Sequence, residues 1–312
     1  MEAISVFAPA SVANVSCGFD ILGFCLDGVG DEFYIEKTVE PGVHFKEIIG
    51  QKLPLDPQKN VAGVAALALL KQHPSDCGFA ITLTKGIKPG SGIGSSSASA
   101  VGVVYALNEL MGLGLSKMEL LPFALEGEML ASQAAHADNI APALLGGFTL
   151  VRSLQPMDIV SIPTPSDLYA AVIHPLVELK TAEARSVLSA EVSFKDSIQQ
   201  SANLGALISG LHTADYDLIS RSLVDILVEP KRAPLIPNYS ALKQAALNAN
   251  ALGAGISGAG PSVFALCKGK ENAKAVAQSM REVLESSGTI FETFVSPINT
   301  QGTTTTKSHE IL

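Results

Sequence analysis

Phe79, Ile81 and Leu83 alternate with Ala80, Thr82 and Thr84, the period of two expected where one face of a strand is buried. From Ala100 to Met111 the period lengthens, and Val101, Val104, Leu107 and Met111 recur at helical spacing. Read along the chain, these patterns predict strands over 4–8, 32–37, 79–84, 146–151, 169–173, 262–267 and 290–296. Helices are predicted over 98–111, 117–134, 182–189, 196–211, 215–227, 239–250 and 271–286. Ser116 and Glu119 have capping-box spacing at the head of the 117–134 helix, although Pro122 falls in its first turns. Pro156, Pro163 and Pro165 mark the best boundary between two halves. Strands and helices mixed in this way predict an α+β fold of two domains, residues 1–155 and 156–298. The remaining segment, 299–312, is polar, lacks an apolar period and is expected to be a frayed tail.

The 79–84 strand and the 98–111 helix flank a loop of Pro89, Gly90, Ser91, Gly92, Ile93, Gly94, Ser95, Ser96, Ser97, Ala98 and Ser99. Strand, small-residue loop and helix N-terminus make an anion cradle, because backbone N–H groups converge there and the helix dipole favours negative charge. Phosphate is the leading ligand. The loop matches neither common nucleotide signature. Lys85 and Lys88 precede the turn, and Ser95 stands where a dinucleotide fingerprint needs its third glycine. A tight turn capped by serine is the structural alternative.

Composition narrows the partners. The chain has 312 residues, 47% of them hydrophobic, enough for one or two real cores. Its net charge is −9 and no basic run exceeds Lys231-Arg232, which argues against nucleic acid or an anionic membrane as partner. Cys17, Cys25, Cys77 and Cys267 form no C-x-x-C pair, so neither a zinc site nor a disulfide framework is indicated. The opening MEAIS lacks a basic-then-apolar signal, and the longest apolar run, Val61 to Leu70, is too short to cross a bilayer. The expectation is a cytoplasmic protein with reduced thiols.

Residues 8–27 (APASVANVSCGFDILGFCLD) and 253–264 (GAGISGAGPSVF) give the 89–99 loop its context. Together, in this order and spacing, the three blocks resemble the GHMP superfamily of small-molecule kinases. HADN at 136–139, TAEAR at 181–185 and EPKRAPLIPN at 229–238 are similar to segments of its homoserine kinases. The resemblance runs from residue 3 to about 297. It implies an N-terminal domain like the second domain of ribosomal protein S5 and a ferredoxin-like C-terminal domain. It also implies ATP and Mg²⁺ as cofactors and phosphorylation of L-homoserine, in threonine biosynthesis. A homodimer is compatible with it, and the sequence leaves the state of assembly open.

Carried over position by position, the resemblance implies specific roles. The 89–99 loop takes the phosphates of ATP, and Asn60 stands on the adenine side. Ser96 and Glu128 would hold the metal. Taken alone, Glu128 is a solvated helix residue, but Ala124, Ala131, Ser132 and Ala135 around it are small and suit a packed face. Asn14 and Asp20 match positions near the substrate amino group. Arg185 and Arg232 match those that take its carboxylate, where a planar fork suits the ion. Thr181, His136 and Asn139 complete the acceptor site. Read alone, His136 is a buried or capping histidine and Arg232 a surface charge. Asn139 occupies a position where some relatives carry an aspartate, and asparagine cannot act as a base. Asp138 beside it diverges in direction. The expected scheme is therefore base-free: Asn139 aligns the hydroxyl, and a loose transition state tolerates a weak nucleophile. Two other readings stay open, a GHMP kinase for another small alcohol such as mevalonate, and a ligand-binding regulator on the same fold.

Overall fold

A computed structural model describes residues 1–132, 136–177 and 179–306. The chain opens with β1 (Ala3–Ala13) and β2 (Leu22–Thr38), long antiparallel neighbours whose inward side chains are almost all buried. β3 (Gly42–Ile49), α1 (Val61–Gln72) and β4 (Gly78–Thr84) follow, and β4 pairs antiparallel to β2 and parallel to β3. Then come α2 (Ser95–Met111), α3 (Lys117–Ser132), α4 (Ala137–Leu145) and the hairpin β5 (Phe148–Leu154) and β6 (Met157–Ile162). The capping box at Ser116 and Glu119 forms, with Glu119 Oε2 accepting from the Ser116 amide at 2.8 Å, and α3 accommodates Pro122 within it.

The second half contains β7 (Leu168–Pro175), α5 (Thr181–Ser186), α6 (Phe194–Thr213), α7 (Tyr216–Ser222), α8 (Glu229–Arg232) and α9 (Tyr239–Asn248). It closes with β8 (Gly253–Ile256), β9 (Val263–Lys268), α10 (Lys270–Ser287) and β10 (Phe291–Pro297). Their sheet order, β10-β7-β9-β8, is the ferredoxin-like arrangement of fourth, first, third and second strand. β11 (Thr304–Thr306) returns to the first sheet, which runs β11-β1-β2-β4-β3 with β5 and β6 continuing from β2.

Three expectations shift. β6 pairs with β5, so the sheets part between Ile162 and Leu168 rather than at 155/156, inside that hairpin. The segment expected to fray is ordered as far as 306, because Thr304–Thr306 supply the edge of β1 with ladder partners; 307–312 lie outside the described residues. The 215–227 helix stops at Ser222, where the Asp225 carboxylate gathers the N–H groups of Leu227, Val228 and Glu229 into a turn that competes with further helix.

The halves share one core. Phe24 packs against Phe148 of the first sheet at 5.0 Å and Phe264 of the second at 5.8 Å. A second cluster, with Ile173, Leu242, Val263 and Met280, fills the other face of the ferredoxin-like sheet. Among the described residues no helix is long and apolar enough to cross a membrane. The seam between the sheets leaves one large cleft.

Candidate active site

The loop joining β4 to α2 reaches its cradle shape through Gly90, Gly92 and Gly94, with φ of 74°, 80° and 74°. Gly94 is the N-cap, and no side chain caps the helix. The first intrahelical bond runs from Ala98 N–H to the Gly94 carbonyl at 2.9 Å, so the amides of Ser95, Ser96 and Ser97 precede the ladder. The serine-capped turn is thus excluded. Ser95 Oγ instead donates to the Ile87 carbonyl at 2.9 Å, and Ser97 Oγ to Glu128 Oε2 at 3.0 Å. A Cβ on Gly92 would lie 2.6 Å from the Gly260 carbonyl oxygen, which is why the close approach requires glycine. Ser257 Oγ and Ser262 Oγ clamp the loop from the second sheet, donating to the Gly92 and Ser91 carbonyls at 2.7 and 2.6 Å. The third sequence block therefore holds the first loop in place.

Beneath the loop lies a buried ion pair. Lys85 Nζ donates to Asp31 Oδ2 at 2.5 Å, to Ser99 Oγ at 2.9 Å and to the Ser95 carbonyl at 2.9 Å. Asp31 also accepts from Ile87 N–H and Ser99 Oγ, so β2, β4 and α2 are tied together under the cradle. Burial pushes the Asp31 pKa up and pulls the Lys85 pKa down, each opposed by the partner's charge.

Glu128, on α3, faces the same helix end and is only 7% exposed. Burial raises its pKa to about 7, against hydrogen bonds from Ser96 and Ser97 that favour the anion. The side chains of Ala131 and Ser132, and all of Ala135, lie outside the described residues; Ala124 is fully buried. Among the described residues no trio of His, Cys, Asp or Glu gathers to hold a metal alone. One carboxylate beside serine hydroxyls does fit a hard cation that completes its shell with water and phosphate oxygens.

The acceptor end is made of charges. Asn14, Val15 and Ser16 leave β1 in a turn with φ of 72°, 38° and 61°, and Asp20 follows at 61°. Both ends of the Asn14 amide hold this turn: Oδ1 accepts from Asp20 N–H at 2.9 Å and Nδ2 donates to the Gly258 carbonyl at 2.5 Å. Arg185 Nη2 donates to both Asp20 oxygens at 2.8 Å and to His136 Nε2 at 3.3 Å. His136 Nδ1 is 3.6 Å from Asp20. Burial, chiefly, lowers the His136 pKa and favours the neutral ring. Arg232 is 2% exposed, with Nε and Nη1 donating to the Ala184 and Gly258 carbonyls. The ring of Phe19 stacks with both guanidinium groups, at 5.5 Å from Arg185 and 5.0 Å from Arg232. Thr181 opens α5 at the mouth. Asn139, on α4, accepts from Ser11 Oγ at 2.9 Å. Asp138 is buried, and burial first, then the charge of Asp20, raises its pKa to about 7.

Asn14, Asp20, Lys85, Ser96, Glu128, His136, Asp138, Asn139, Thr181, Arg185 and Arg232 line one cleft of about 350 Å³ that also takes in Leu53 and Pro54. Several expected contacts are redirected. Ile93 and Ala98 belong to the core, their side chains 2% and 0% exposed, and Ser97 turns behind the loop to Glu128. Asn60 lines the cleft but its side chain caps α1 and donates to the Pro54 carbonyl. Arg232 is no surface charge. The roles of Lys85, Asp31, Ser11 and Phe19 depend on partners 54 to 213 positions away, beyond the reach of sequence spacing. For Lys85 a signal existed, a lysine at the end of a buried strand.

Residues 60–147 match the family described as GHMP kinases N terminal domain, and 207–286 the GHMP kinases C terminal family. A homoserine kinase of Chlorobium phaeobacteroides is 46% identical over 97% of this chain and 99% of its own. The crystal structure of homoserine kinase from Cytophaga hutchinsonii superposes with a TM-score of 0.95 at 45% identity, covering 98% of both chains. A mevalonate kinase of L. major in complex with R-mevalonate shares the fold at a TM-score of 0.73, with 17% identity over 94% of this chain and 95% of its own.

Proposed function

The chain belongs to the homoserine kinases of the GHMP kinase family, and from that premise we infer how its cleft works. It transfers the γ-phosphoryl group of ATP to the side-chain hydroxyl of L-homoserine, giving O-phospho-L-homoserine and ADP in threonine biosynthesis. One observation carries the reading: the bare N-terminus of α2 and the Asp20–Arg185 pair face the same space.

Phosphoryl transfer asks the protein to position two reactants and to neutralise charge. The Ser95, Ser96 and Ser97 amides bind the triphosphate, and the Lys85–Asp31 pair keeps them aimed. Glu128 and Ser96 would hold Mg²⁺, which would supply charge neutralisation for the transferring group. Asp20 takes the homoserine ammonium, while Arg185 and Arg232 take its carboxylate, with Thr181 and His136 beside them. A zwitterion presents both charges and so replaces each partner of the Asp20–Arg185 pair with an equivalent ion. Asn139 orients the hydroxyl, whose proton leaves late, to a γ-phosphate oxygen. The four thiols are free, and we place the enzyme in the cytoplasm. Assembly as a homodimer belongs to the same reading and is tested by light scattering.

The decisive experiment is ADP release with MgATP and a panel of L-homoserine, threonine, serine, mevalonate and galactose. Homoserine is expected to give the highest kcat/KM. A higher value for any acceptor lacking the amino acid group overturns the substrate.

A further inference from the structure

We infer that Ser11 is a positioning residue for phosphoryl transfer, its hydroxyl holding the Asn139 amide oxygen so that the NH₂ end faces the acceptor hydroxyl. The inference rests on the homoserine kinase reading and concerns how the reacting oxygen is oriented.

Ser11 lies near the end of β1, its side chain fully buried. The pairing of β1 with β2 shifts register between Pro9 and Ser11, with the extra residues on β2. The backbone N–H of Ser11 donates to the Ile93 carbonyl at 3.2 Å, fixing the strand against the phosphate loop. Its Oγ then donates to Asn139 Oδ1 at 2.9 Å, joining β1 to the first turn of α4. Gly94 completes the junction. A Cβ there would stand 2.3 Å from Ser11 Oγ and 3.2 Å from Asn139 Oδ1, so the N-cap of α2 must be glycine for the hydroxyl and amide to meet.

Chemistry follows from which end of the amide is taken. With Oδ1 occupied by Ser11, the two Nδ2 protons remain for the cleft. A donor facing the acceptor oxygen aligns a lone pair and leaves the hydroxyl proton pointing elsewhere, toward the phosphate. The reverse orientation would present an acceptor and draw that proton back. Ser11 thus favours the base-free route without touching substrate.

The test is a double-mutant cycle on the full chain. Ser11→Ala should lower kcat about 10- to 100-fold, with KM for homoserine and for ATP unmoved and thermal unfolding within a few degrees of wild type. In an Asn139→Ala background, the same substitution should cost nothing further. Asn139→Asp keeps the atom that Ser11 binds and removes the donor, so it should lose kcat with Ser11 intact. An unchanged kcat in Ser11→Ala, or an equal loss with and without Asn139, overturns the inference. Should Ser11→Ala fail to fold, Ser11→Cys, which keeps the shape with a weaker donor, stands under the same two outcomes. If the unmutated protein does not phosphorylate homoserine, it is the functional reading that falls.

Discussion

At the proposed phosphate end of the cleft, the free helix end offers backbone amides, and most of the side chains around it bond within the fold. Ser95, Ser97 and Ser99 point their hydroxyls at Ile87, Glu128 and Asp31, and Lys85 is sealed under the loop. At the proposed acceptor end, the cleft offers charged side chains partly open to solvent, Asp20 and Arg185 being 33% and 42% exposed. The first end is held in shape by the buried bonds of Ser95, Ser97, Ser99 and Lys85. At the second, Asp20 and Arg185 pair with each other, and in the proposed reading a zwitterion divides the pair. Damage at the phosphate end should therefore fall on kcat, and damage at the acceptor end on KM for homoserine.

The largest expected effect tests the phosphate end. Glu128→Gln should lower kcat by about 10²- to 10³-fold or more while homoserine KM stays within several-fold, because charge neutralisation matters most in the transition state. Stability should move the other way. Burial raises the Glu128 pKa from its ordinary 4.5 to about 7, so between those values the folded state binds more protons than the unfolded and metal-free stability falls as pH rises. Glu128→Gln should remove that slope and melt later at pH 8, and divalent cation affinity of the unmutated protein should climb with pH through about 7. An unchanged kcat in a folded variant would return Glu128 to a structural role.

A smaller effect is expected from the acceptor end, and it separates the two arginines. Arg185→Ala and Arg232→Ala each remove a charge-assisted contact worth about 1.5–3 kcal/mol, so homoserine KM should rise about 10- to 150-fold with ATP KM nearly constant. Arg232 also holds the Ala184 and Gly258 carbonyls, so only its loss should lower the melting temperature appreciably. Asp20→Asn should weaken homoserine much more than 4-hydroxybutyrate, which has no ammonium. Equal loss of kcat on both acceptors would mean that Asp20 acts on the hydroxyl, and the division between the two ends would collapse.

The smallest effect sharpens the comparison at its midpoint. Asp138 is buried with a pKa near 7, the value a general base would have. In the base-free scheme Asp138→Asn leaves kcat within several-fold. Steady-state kinetics showing a loss of two or more orders of magnitude would make Asp138 the base.

Regular elements were legible where one period dominated. Alternation marks β4, and α2, α6 and α10 follow from helical spacing. Elements lacking a clean period escaped: α4 carries Pro142, β8 is only Gly253–Ile256, β6 is short, and the pairing of β3 breaks register between Phe45 and Glu47. The site divides similarly. Gly92, Gly94, Glu128, Asp20, Arg185 and Arg232 were identified from motifs and meet in one cleft. Asn60 and Asn14, expected near the ligands, line the cleft too, and their amides also hold the frame.

By itself, then, the order of residues determined what local chemistry dictates: a glycine loop entering a helix, the periods of strands and helices, and the motifs that mark the family. Those depend on neighbours within a few positions. Only the tertiary structure decided that Ser257 and Ser262 clamp a loop some 170 residues earlier, with Ser262 Oγ reaching the Ser91 carbonyl across 171 positions. The same holds for Arg232, held in the cleft by Ala184 and Gly258, and for Ser11, which meets Asn139 across 128 positions. The physical reason is common to all three. A hydrogen bond is set by distance in space, and spacing along the chain carries no record of which distant segment will supply the partner.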